Sequence, residues 1–427
     1  MTTKRHVKTP VQIGVNTNGL RSAVSLFSGC GGFCDGIEMA GFDVHASVEL
    51  DKFAAETYRF NFPKTPLIQG DVCDFLTKSR EETIKKYRLQ SIDLVFGGPP
   101  CQGYSQIGTR DLLDVRNVLY KEFSRIVNTL RPKLFLMENV PNLLLMNKGQ
   151  FRDEILREFA RIGYSNATFV KVTAADFGVA QVRQRVVFLG TRDEDEIPVD
   201  LRQAFEAALE EFRVPRHYTV DEALSDLPDG VVPSGQSLAY PASRTLSALQ
   251  KMMRLDFSKG AYTKAVKNAR GIGGLPRMLY NHHTKEIQAR RAHLISMLKP
   301  GCKADSLPKN IWNGARPEKW RRLHPEAPSY TILAQMHRDL SEWVHPHLNR
   351  WITVREAARL QSFHDGFVFQ GSEWQQLKQI GNAVPPMLAL ALGRAASAVL
   401  QTSGQIKTKR KRGIMIQRRL PTMSLAT

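Results

Sequence analysis

The chain has 427 residues, enough for one large domain and a smaller one, and its 42% hydrophobic and 24% charged residues are typical of a folded protein rather than a disordered one. Because it has no uninterrupted apolar stretch of about 18 residues and no apolar segment near its start, neither a transmembrane helix nor a secretory signal is expected. Its five cysteines are odd in number and widely spread, which argues against a disulfide framework and for a reducing, cytoplasmic setting.

The net charge of +19 is concentrated in three segments. Residues 1–21 contain four Lys or Arg and no acidic residue, and residues 401–427 contain seven and none. Residues 241–325 contain 18 Lys or Arg against 4 Asp or Glu. A basic internal block of this kind indicates contact with a polyanion such as nucleic acid, whereas the two ends are equally well explained as solvated tails.

Short apolar runs alternate with amphipathic segments through the first half of the chain. The predicted strands are 23–27, 42–48, 65–69, 91–96, 133–138 and 185–190, and the segments with helical spacing are 51–60, 80–88, 119–130 and 151–163. This alternation predicts an α/β domain with a mostly parallel sheet and helices on both faces. In such sheets ligands bind in the loops at the carboxyl ends of the strands.

The pattern changes after about residue 228. Residues 229–325 are rich in Gly, Pro, Asn and basic residues, which predicts a smaller, loop-rich domain. Regular structure resumes in "TVREAARLQSF", where Thr353 and Glu356 have the spacing of a capping box, and a last apolar helix starts at the proline pair of 385–400. The predicted organisation is a basic extension (1–21), a main domain in two parts (22–228 and 326–401) enclosing the small domain (229–325), and a basic, low-order tail (402–427).

Three strand-end loops carry residues suited to a nucleotide-like ligand. After the first strand, Gly29, Gly31 and Gly32 allow a tight turn and a close backbone approach, although the spacing differs from the dinucleotide G-x-G-x-x-G. Glu49 ends the second strand, where an acid suits ribose hydroxyls, and Asp71 follows the third, where it suits an exocyclic amine. A triphosphate is disfavoured, because the phosphate-loop pattern G-x-x-x-x-G-K-[ST] is absent.

The fourth predicted strand leads into "GGPPCQGYSQ", in which Cys101 could be a packing residue, a metal ligand or a nucleophile. The cysteines lack C-x₂-C spacing and no clustered histidines accompany them, which disfavours a metal. A turn rich in Gly, Pro and polar residues is an unusual place for a core cysteine. The nucleophile is therefore the favoured interpretation of Cys101, with the other two left open.

Polar residues near two further strands can converge on the same cleft. Glu138 ends the fifth strand, as Cys101 follows the fourth. Gln181, Arg183 and Arg185 alternate along "QVRQR", so on a strand they would share one face. Two arginines and a glutamine that face a cleft favour binding of an anionic or base-like ligand, since burying these polar groups without a hydrogen-bond partner would cost free energy.

Taken in order, "FSGCGGF", "GGPPCQGYS", "ENVPNL", "QVRQR", "REAARLQSF" and "GNAVPPML" resemble the motifs of the DNA (cytosine-5) methyltransferases. The resemblance covers roughly residues 22–195 and 325–400. It implies an S-adenosylmethionine-dependent enzyme, of the prokaryotic restriction-modification type, that methylates cytosine C5 in a specific double-stranded DNA sequence. It also implies a DNA cleft between two lobes, with residues 229–325 as the target-recognition domain.

The resemblance assigns roles to individual residues. Cys101 matches the nucleophile, Glu138 the acid at the cytosine ring edge, and Arg183 and Arg185 a pair near the base and the backbone. Substrate contacts are expected at Gln102 and Gln181. The expected cofactor-binding residues are Phe27, Gly29, Gly31, Gly32, Glu49, Leu50, Asp71, Val72, Pro99, Asn382 and Val384. No metal is expected.

The implied mechanism is covalent. The Cys101 thiolate adds to C6 of a flipped-out cytosine, and a protonated Glu138 stabilises the charge that develops on the ring. The segments 271–277 and 281–291 are candidates for reading bases, or else ordinary surface. The expected partners are double-stranded DNA and a companion restriction endonuclease, with a monomeric enzyme. A tRNA cytosine-5 methyltransferase and a catalytically silent DNA-binding protein are the alternatives.

Overall fold

The computed structural model describes residues 20–76, 79–87, 89, 91–100, 119–195, 200–241, 245–254, 278–314, 317, 320–334 and 342–417. Its main feature is a seven-stranded sheet with the strand order β3-β2-β1-β4-β5-β7-β6. The strands are β1 (Arg21–Leu26), β2 (Phe42–Glu49), β3 (Leu67–Gln69), β4 (Leu94–Gly97), β5 (Leu134–Asn139), β6 (Thr168–Thr173) and β7 (Gln184–Thr191). The first five are parallel, and β7 is antiparallel to both β5 and β6. This arrangement confirms the predicted fold class.

Helices cover both faces of the sheet. Within the described residues they are α1 (Gly32–Met39), α2 (Lys52–Asn61), α3 (Arg80–Tyr87), α4 (Leu119–Leu130), α5 (Gln150–Arg161), α6 (Leu201–Glu210), α7 (Val220–Leu224), α8 (Ala248–Met253), α9 (Ala289–Met297), α10 (Val354–Leu360), α11 (Glu373–Asn382) and α12 (Pro386–Gln417). Successive side chains of β5 point to opposite faces of the sheet and pack in two separate hydrophobic cores. Leu134 and Leu136 pack on the face covered by α1, α6 and α12, and Phe135 and Met137 pack on the face covered by α4 and α5. The strands are apolar on both faces for this reason.

The region 229–325 contains short elements only, where it is described. β8 (Ser237–Ala239) pairs with β9 (Met278–Tyr280), and β10 (Trp320–Arg322) pairs in parallel with β11 (Glu342–Val344). The β10–β11 pair crosses the boundary predicted at 325/326. The boundaries of the target-recognition domain therefore stay a prediction.

Helix α10 is held by buried charges, and one of its arginines also contacts the 229–325 region. Thr353 caps the helix and forms the predicted capping box with Glu356. Arg359 is fully buried and donates to the carboxylates of Asp226 and Asp365. Arg355, also fully buried, donates to the carbonyl oxygens of Tyr280, His364 and Phe367.

The last helix, α12, is longer than the sequence predicted. It begins at the second proline of the predicted pair, but its backbone continues through Gln417. The expectation of a low-order tail from residue 402 is therefore wrong as far as Gln417. Among the described residues, Glu373–Thr402 is long and apolar enough to cross a membrane, but 83% of its most apolar window is buried, as in a core helix of a soluble protein.

Candidate active site

Several of the predicted site residues that the structure describes follow strands that end at one edge of the sheet. Leu26 pairs with both Val48 and Gly97, so the carboxyl ends of β1, β2 and β4 lie side by side. Because β7 is antiparallel to β5, its start lies at the same edge, with Val186 opposite Asn139. We call this edge the carboxyl edge; it brings together loops that are more than a hundred residues apart in the chain.

The three glycines after β1 have different roles. Gly29 has a φ of 57°, and a Cβ added to it would have no heavy atom within 4 Å, so the turn opens onto free space there. A Cβ on Gly31 would lie 2.2 Å from the ring of Phe62, and one on Gly32 would lie 2.5 Å from the Val384 carbonyl oxygen. The expectation of a close ligand approach therefore fits Gly29, whereas Gly31 and Gly32 are required by packing within the protein.

Glu49 is fixed in position at the end of β2. Its carboxylate accepts hydrogen bonds of 2.7 Å from the backbone N–H groups of Gly29 and Asp51. Burial raises the pKa of Glu49, against the effect of these hydrogen bonds. The neighbouring Leu50 is 67% exposed, so a preoriented acid and an exposed apolar side chain lie next to the open turn at Gly29.

Asp71 and Val72 follow β3, whose Gln69 pairs with Glu49. Asp71 is exposed and accepts a hydrogen bond from the N–H of Cys73, which lowers its pKa. Val72 is buried in the core. The Asp71 carboxylate is thus ionised and open to solvent at the same edge.

The segment at the end of α11 returns to the first loop. Cys30 Sγ lies 3.9 Å from the carbonyl oxygen of Gln379, and Lys378 Nζ lies 2.7 Å from Asp51. Asn382 is exposed, whereas Val384 is buried against Gly32. The structure therefore places Val384 against the loop after β1, whereas the cofactor contacts of Asn382 and Val384 stay a prediction.

The end of β4 is packed closely between its neighbours. A Cβ on Gly97 would lie 2.1 Å from the carbonyl oxygen of Leu26, and one on Gly98 would lie 2.8 Å from Glu138 Oε2. The Asn139 side-chain amide donates to the carbonyl oxygen of Pro99 at 2.9 Å. Asn139 was not predicted as a site residue, although its place beside Glu138 at a strand end was visible in the sequence.

Glu138 and Arg185 form an ion pair at the centre of the carboxyl edge. Arg185 Nε lies 2.6 Å from Glu138 Oε1, and the two side chains are 10% and 11% exposed. Burial lowers the pKa of Arg185, and the charge of Glu138 opposes this shift. Glu138 therefore presents one oxygen to Arg185 and the other to the backbone at Gly98.

Gln181 and Arg183 do not face an open cleft. Arg183 is 2% exposed and donates to the carbonyl oxygens of Ile332, Gly381 and Ala383, at 2.9 to 3.0 Å. Gln181, fully buried, accepts from the N–H of Ile332. The expected common face fails because β7 begins at Gln184, after both residues. Arg183 and Gln181 instead fix the returning segment against the sheet.

Cys101 and Gln102 lie outside the described residues, and so does the candidate reading segment 271–277. Other thiols near the site are poorly suited to attack at neutral pH. Burial raises the pKa of Cys30 and of Cys34 to about 12, and burial with the Asp71 hydrogen bond raises that of Cys73 to about 11.

The second segment predicted to read bases, 281–291, begins with residues that are buried in the protein. Asn281, His282 and His283 are buried. Asn281 exchanges hydrogen bonds with the backbone of Phe369, and a ring nitrogen of His282 lies 2.9 Å from the carbonyl oxygen of Pro228. These three residues cannot read bases, because their polar groups are enclosed by the protein.

Comparisons with known proteins agree with this arrangement. Residues 22–398 match the family described as C-5 cytosine-specific DNA methylase. The Type II methyltransferase M1.HphI of Haemophilus parahaemolyticus is 34% identical, over 87% of this chain and 85% of its own. M.DdeI of Desulfomicrobium norvegicum is 32% identical, over 88% of each chain. The structure of a prophage-encoded DNA modification methyltransferase of Escherichia coli superimposes with a TM-score of 0.69 at 26% identity, covering 89% of this chain and 99% of that one.

The sheet order and its superposition on a DNA modification methyltransferase define a methyltransferase of the class that uses S-adenosylmethionine. The chain belongs to the C-5 cytosine-specific DNA methylase family and is a DNA (cytosine-5) methyltransferase.

Proposed function

We propose that the enzyme methylates C5 of a cytosine flipped out of a specific duplex sequence, through a covalent bond between Cys101 and C6. The observation that carries this proposal is the contact between Gly98 and Glu138. The chain that leads to Cys101 passes Glu138 so closely that a single added methyl group at Gly98 would lie 2.8 Å from the carboxylate. Cys101 follows Gly98 by three residues in the sequence, and this short separation supports our proposal that its thiol acts beside the Glu138–Arg185 pair.

The residues at the carboxyl edge fit S-adenosylmethionine. The turn at Gly29 borders free space, because a Cβ added there would have no heavy atom within 4 Å. Beside this space, two backbone N–H groups hold the Glu49 carboxylate in place. Glu49 would hold the ribose hydroxyls and Asp71 the adenine amine, with apolar contacts from Phe27, Leu50 and Val72 and further contacts from Pro99, Asn382 and Val384. When bound, S-adenosylmethionine supplies an electrophilic methyl group.

The protein's own residues prepare cytosine C5 to receive that group. The Cys101 thiolate forms a bond to C6, and this addition makes C5 electron-rich. Glu138 hydrogen-bonds the N3 and amino edge of the ring and stabilises the charge that accumulates there, while Arg185 holds Glu138 in place. After methylation a solvent base removes the C5 proton, the electron pair of that bond restores the C5–C6 double bond, and Cys101 is expelled as the thiolate.

Arg183 supports this chemistry indirectly. Its three hydrogen bonds to carbonyl oxygens join the start of β7 to the segment that returns to the cofactor loop. We assign it a positioning role, in place of the contact with the base that the motif suggested.

Base flipping costs a few kcal/mol, and phosphate contacts help to offset this cost. The basic residues of 229–325 are suited to such contacts, and the exposed part of 281–291, from Lys285 onward, is the described candidate for reading bases. Because the similar proteins include Type II methyltransferases, we also propose a cytoplasmic restriction-modification enzyme that acts as a monomer beside a companion endonuclease.

Transfer of a tritiated methyl group tests the proposal. Label should enter duplex DNA as 5-methylcytosine and should not enter tRNA, and Cys101→Ser should abolish transfer while sparing DNA binding. Transfer to tRNA alone, or a Cys101→Ser enzyme that works at the wild-type rate, would contradict it. The second outcome would leave the family membership intact and remove only the nucleophile.

A further inference from the structure

An ion pair between Lys378 and Asp51 joins two segments that border the proposed cofactor site. Lys378 lies on α11, and its Nζ is 2.7 Å from Asp51 Oδ2, although the two residues are 327 positions apart in the chain. Asp51 follows β2, the strand that ends with Glu49. The two side chains are 37% and 33% exposed, so the pair lies near the surface and not in the core.

The two carboxylate oxygens of Asp51 have separate partners. Oδ1 accepts hydrogen bonds from the N–H groups of Phe53 and Ala54 and so caps α2. Oδ2 accepts from Lys378. Because the cap uses Oδ1 alone, the start of α2 does not require Lys378. The lysine adds a positive charge at this junction and a connection to α11.

The backbone of Asp51 connects this ion pair to Glu49. The N–H of Asp51 donates to Glu49 Oε1 at 2.7 Å, and the N–H of Gly29 donates to Oε2 at the same distance. Burial raises the pKa of Glu49, and the negative charge of Asp51 raises it further. Burial also opposes ionisation of Asp51, but the hydrogen bonds it accepts and the charge of Lys378 prevail and lower its pKa. Lys378 therefore compensates the second of two adjacent acids.

On the other side of the site, Lys378 shares a face of α11 with Asn382. The two residues are four positions apart, so their side chains lie on the same side of the helix. Asn382 is exposed and ends α11, and the chain then returns to the loop after β1, where Val384 lies against Gly32. The ion pair thus connects the helix turn that carries Asn382 to the strand end that carries Glu49.

We propose that Lys378 is a positioning residue for S-adenosylmethionine: through Asp51, it holds Glu49 and the end of α11 at the spacing that the cofactor requires. The inference rests on the proposed contact of Glu49 with the cofactor ribose. Lys378 acts through Asp51, to which its ammonium group is bound, and does not touch the cofactor itself. Since a partly exposed ion pair adds little to the stability of a fold, its loss should affect the cofactor site more than the folded state.

The test measures binding of S-adenosylhomocysteine, the demethylated product of the cofactor, to the full-length enzyme by isothermal titration calorimetry. Lys378→Met removes the positive charge and keeps an unbranched side chain, and Asp51→Asn removes the negative charge and keeps a capping side chain. Lys133→Met is the matched control. Lys133 Nζ lies 2.6 Å from Asp93, with the side chains 41% and 15% exposed, and both residues precede strands at the opposite edge of the sheet.

Lys378→Met and Asp51→Asn should each weaken binding roughly 3- to 5-fold, which is the upper part of the range for a partly exposed ion pair. Lys133→Met should bind like the wild type. Because Lys378 acts through Asp51, Lys378→Met should cause no further loss in an Asp51→Asn background. In steady-state assays the KM for S-adenosylmethionine should rise by the same factor with kcat unchanged, and unliganded Lys378→Met should unfold at the same temperature as Lys133→Met.

Binding by Lys378→Met as tight as that by Lys133→Met would overturn the proposal. A further loss in the Asp51→Asn background would also overturn it, since Lys378 would then act on the cofactor directly. Glu49→Gln tests the ribose contact separately. If Glu49→Gln weakens binding and Lys378→Met does not, only this inference fails; if Glu49→Gln binds like the wild type, the proposed ribose contact is wrong and the inference fails with it.

Discussion

Glu138 and Arg185 face each other across the junction of the parallel and antiparallel parts of the sheet, with Oε1 and Nε 2.6 Å apart. Glu138 ends β5, whereas Arg185 lies near the start of β7, which runs in the opposite direction. A strand that ran parallel there would place Arg185 at the far edge. The reversed direction of β7 is therefore what joins the two charges at the carboxyl edge.

Glu138→Gln should slow methyl transfer without unfolding the protein. The amide keeps the shape of the carboxyl group but cannot exchange its proton, and loss of general acid–base help typically costs about 10²- to 10⁴-fold in rate. Single-turnover transfer to DNA measures the effect. Glu206→Gln, at an exposed carboxylate of α6, is the control; equal rates for the two variants would contradict the role of Glu138.

Gly98→Ala should disturb the same carboxylate through the backbone. The added Cβ would lie 2.8 Å from Glu138 Oε2 and must displace it. A displacement of about 1 Å in an active site can cost roughly 100-fold in rate, so we expect kcat to fall by up to that factor. Gly230→Ala is the matched control, because nothing lies within 4 Å of its added Cβ. A Gly98→Ala enzyme as fast as Gly230→Ala would show that Glu138 tolerates the shift.

Alkylation should be selective among the thiols. Burial raises the pKa of Cys30 and Cys34 to about 12, so at pH 7.5 almost none of either is thiolate. We expect iodoacetamide to inactivate the enzyme by modifying Cys101, and peptide mass spectrometry to find Cys30 and Cys34 unmodified in the folded protein. Inactivation that correlates with modification of Cys30 would reassign the reactive thiol.

Glu356 should stabilise the fold at neutral pH and lose this effect in acid. Burial opposes its ionisation, but two hydrogen bonds from Arg350 and its positive charge prevail and hold the pKa at about 2. Because this pKa is lower than in the unfolded chain, the contribution is fully present above about pH 5 and is lost as the pH falls toward 2. The lowered pKa of Glu356 corresponds to a contribution of about 3 kcal/mol to the free energy of unfolding.

Urea unfolding of the wild type and Glu356→Gln measures this contribution. The wild type should be more stable at pH 7, and the difference in unfolding free energy should shrink by more than half at pH 3. A difference that stays constant across this range would mean that Glu356 acts through packing or its cap alone.

The sheet was predictable from the sequence because its strands are buried on both faces and read as apolar runs. The six predicted strands exist, and α2 to α5 lie within two residues of their predicted bounds. Strand β6 was missed because the polar residues Thr168, Lys171 and Thr173 of "TFVKVT" leave no apolar run longer than two residues.

The site was predictable only in part. Residues that end a strand, such as Glu49 and Glu138, follow from strand order alone. The burial of the Arg183 side chain does not follow from strand order, because it depends on the carbonyl oxygens of Ile332 and Gly381, which are 149 and 198 residues away in the chain. Local alternation cannot show that such a distant segment covers the arginine.

The central claim is a covalent bond between Cys101 and the target cytosine. DNA amplified with 5-fluorocytosine has no C5 proton to release, so the adduct should accumulate and survive denaturing electrophoresis. Digestion and mass spectrometry should then find the modified base on the peptide that contains Cys101. Methyl transfer to normal DNA without any such adduct, or an adduct on another cysteine, would contradict the account.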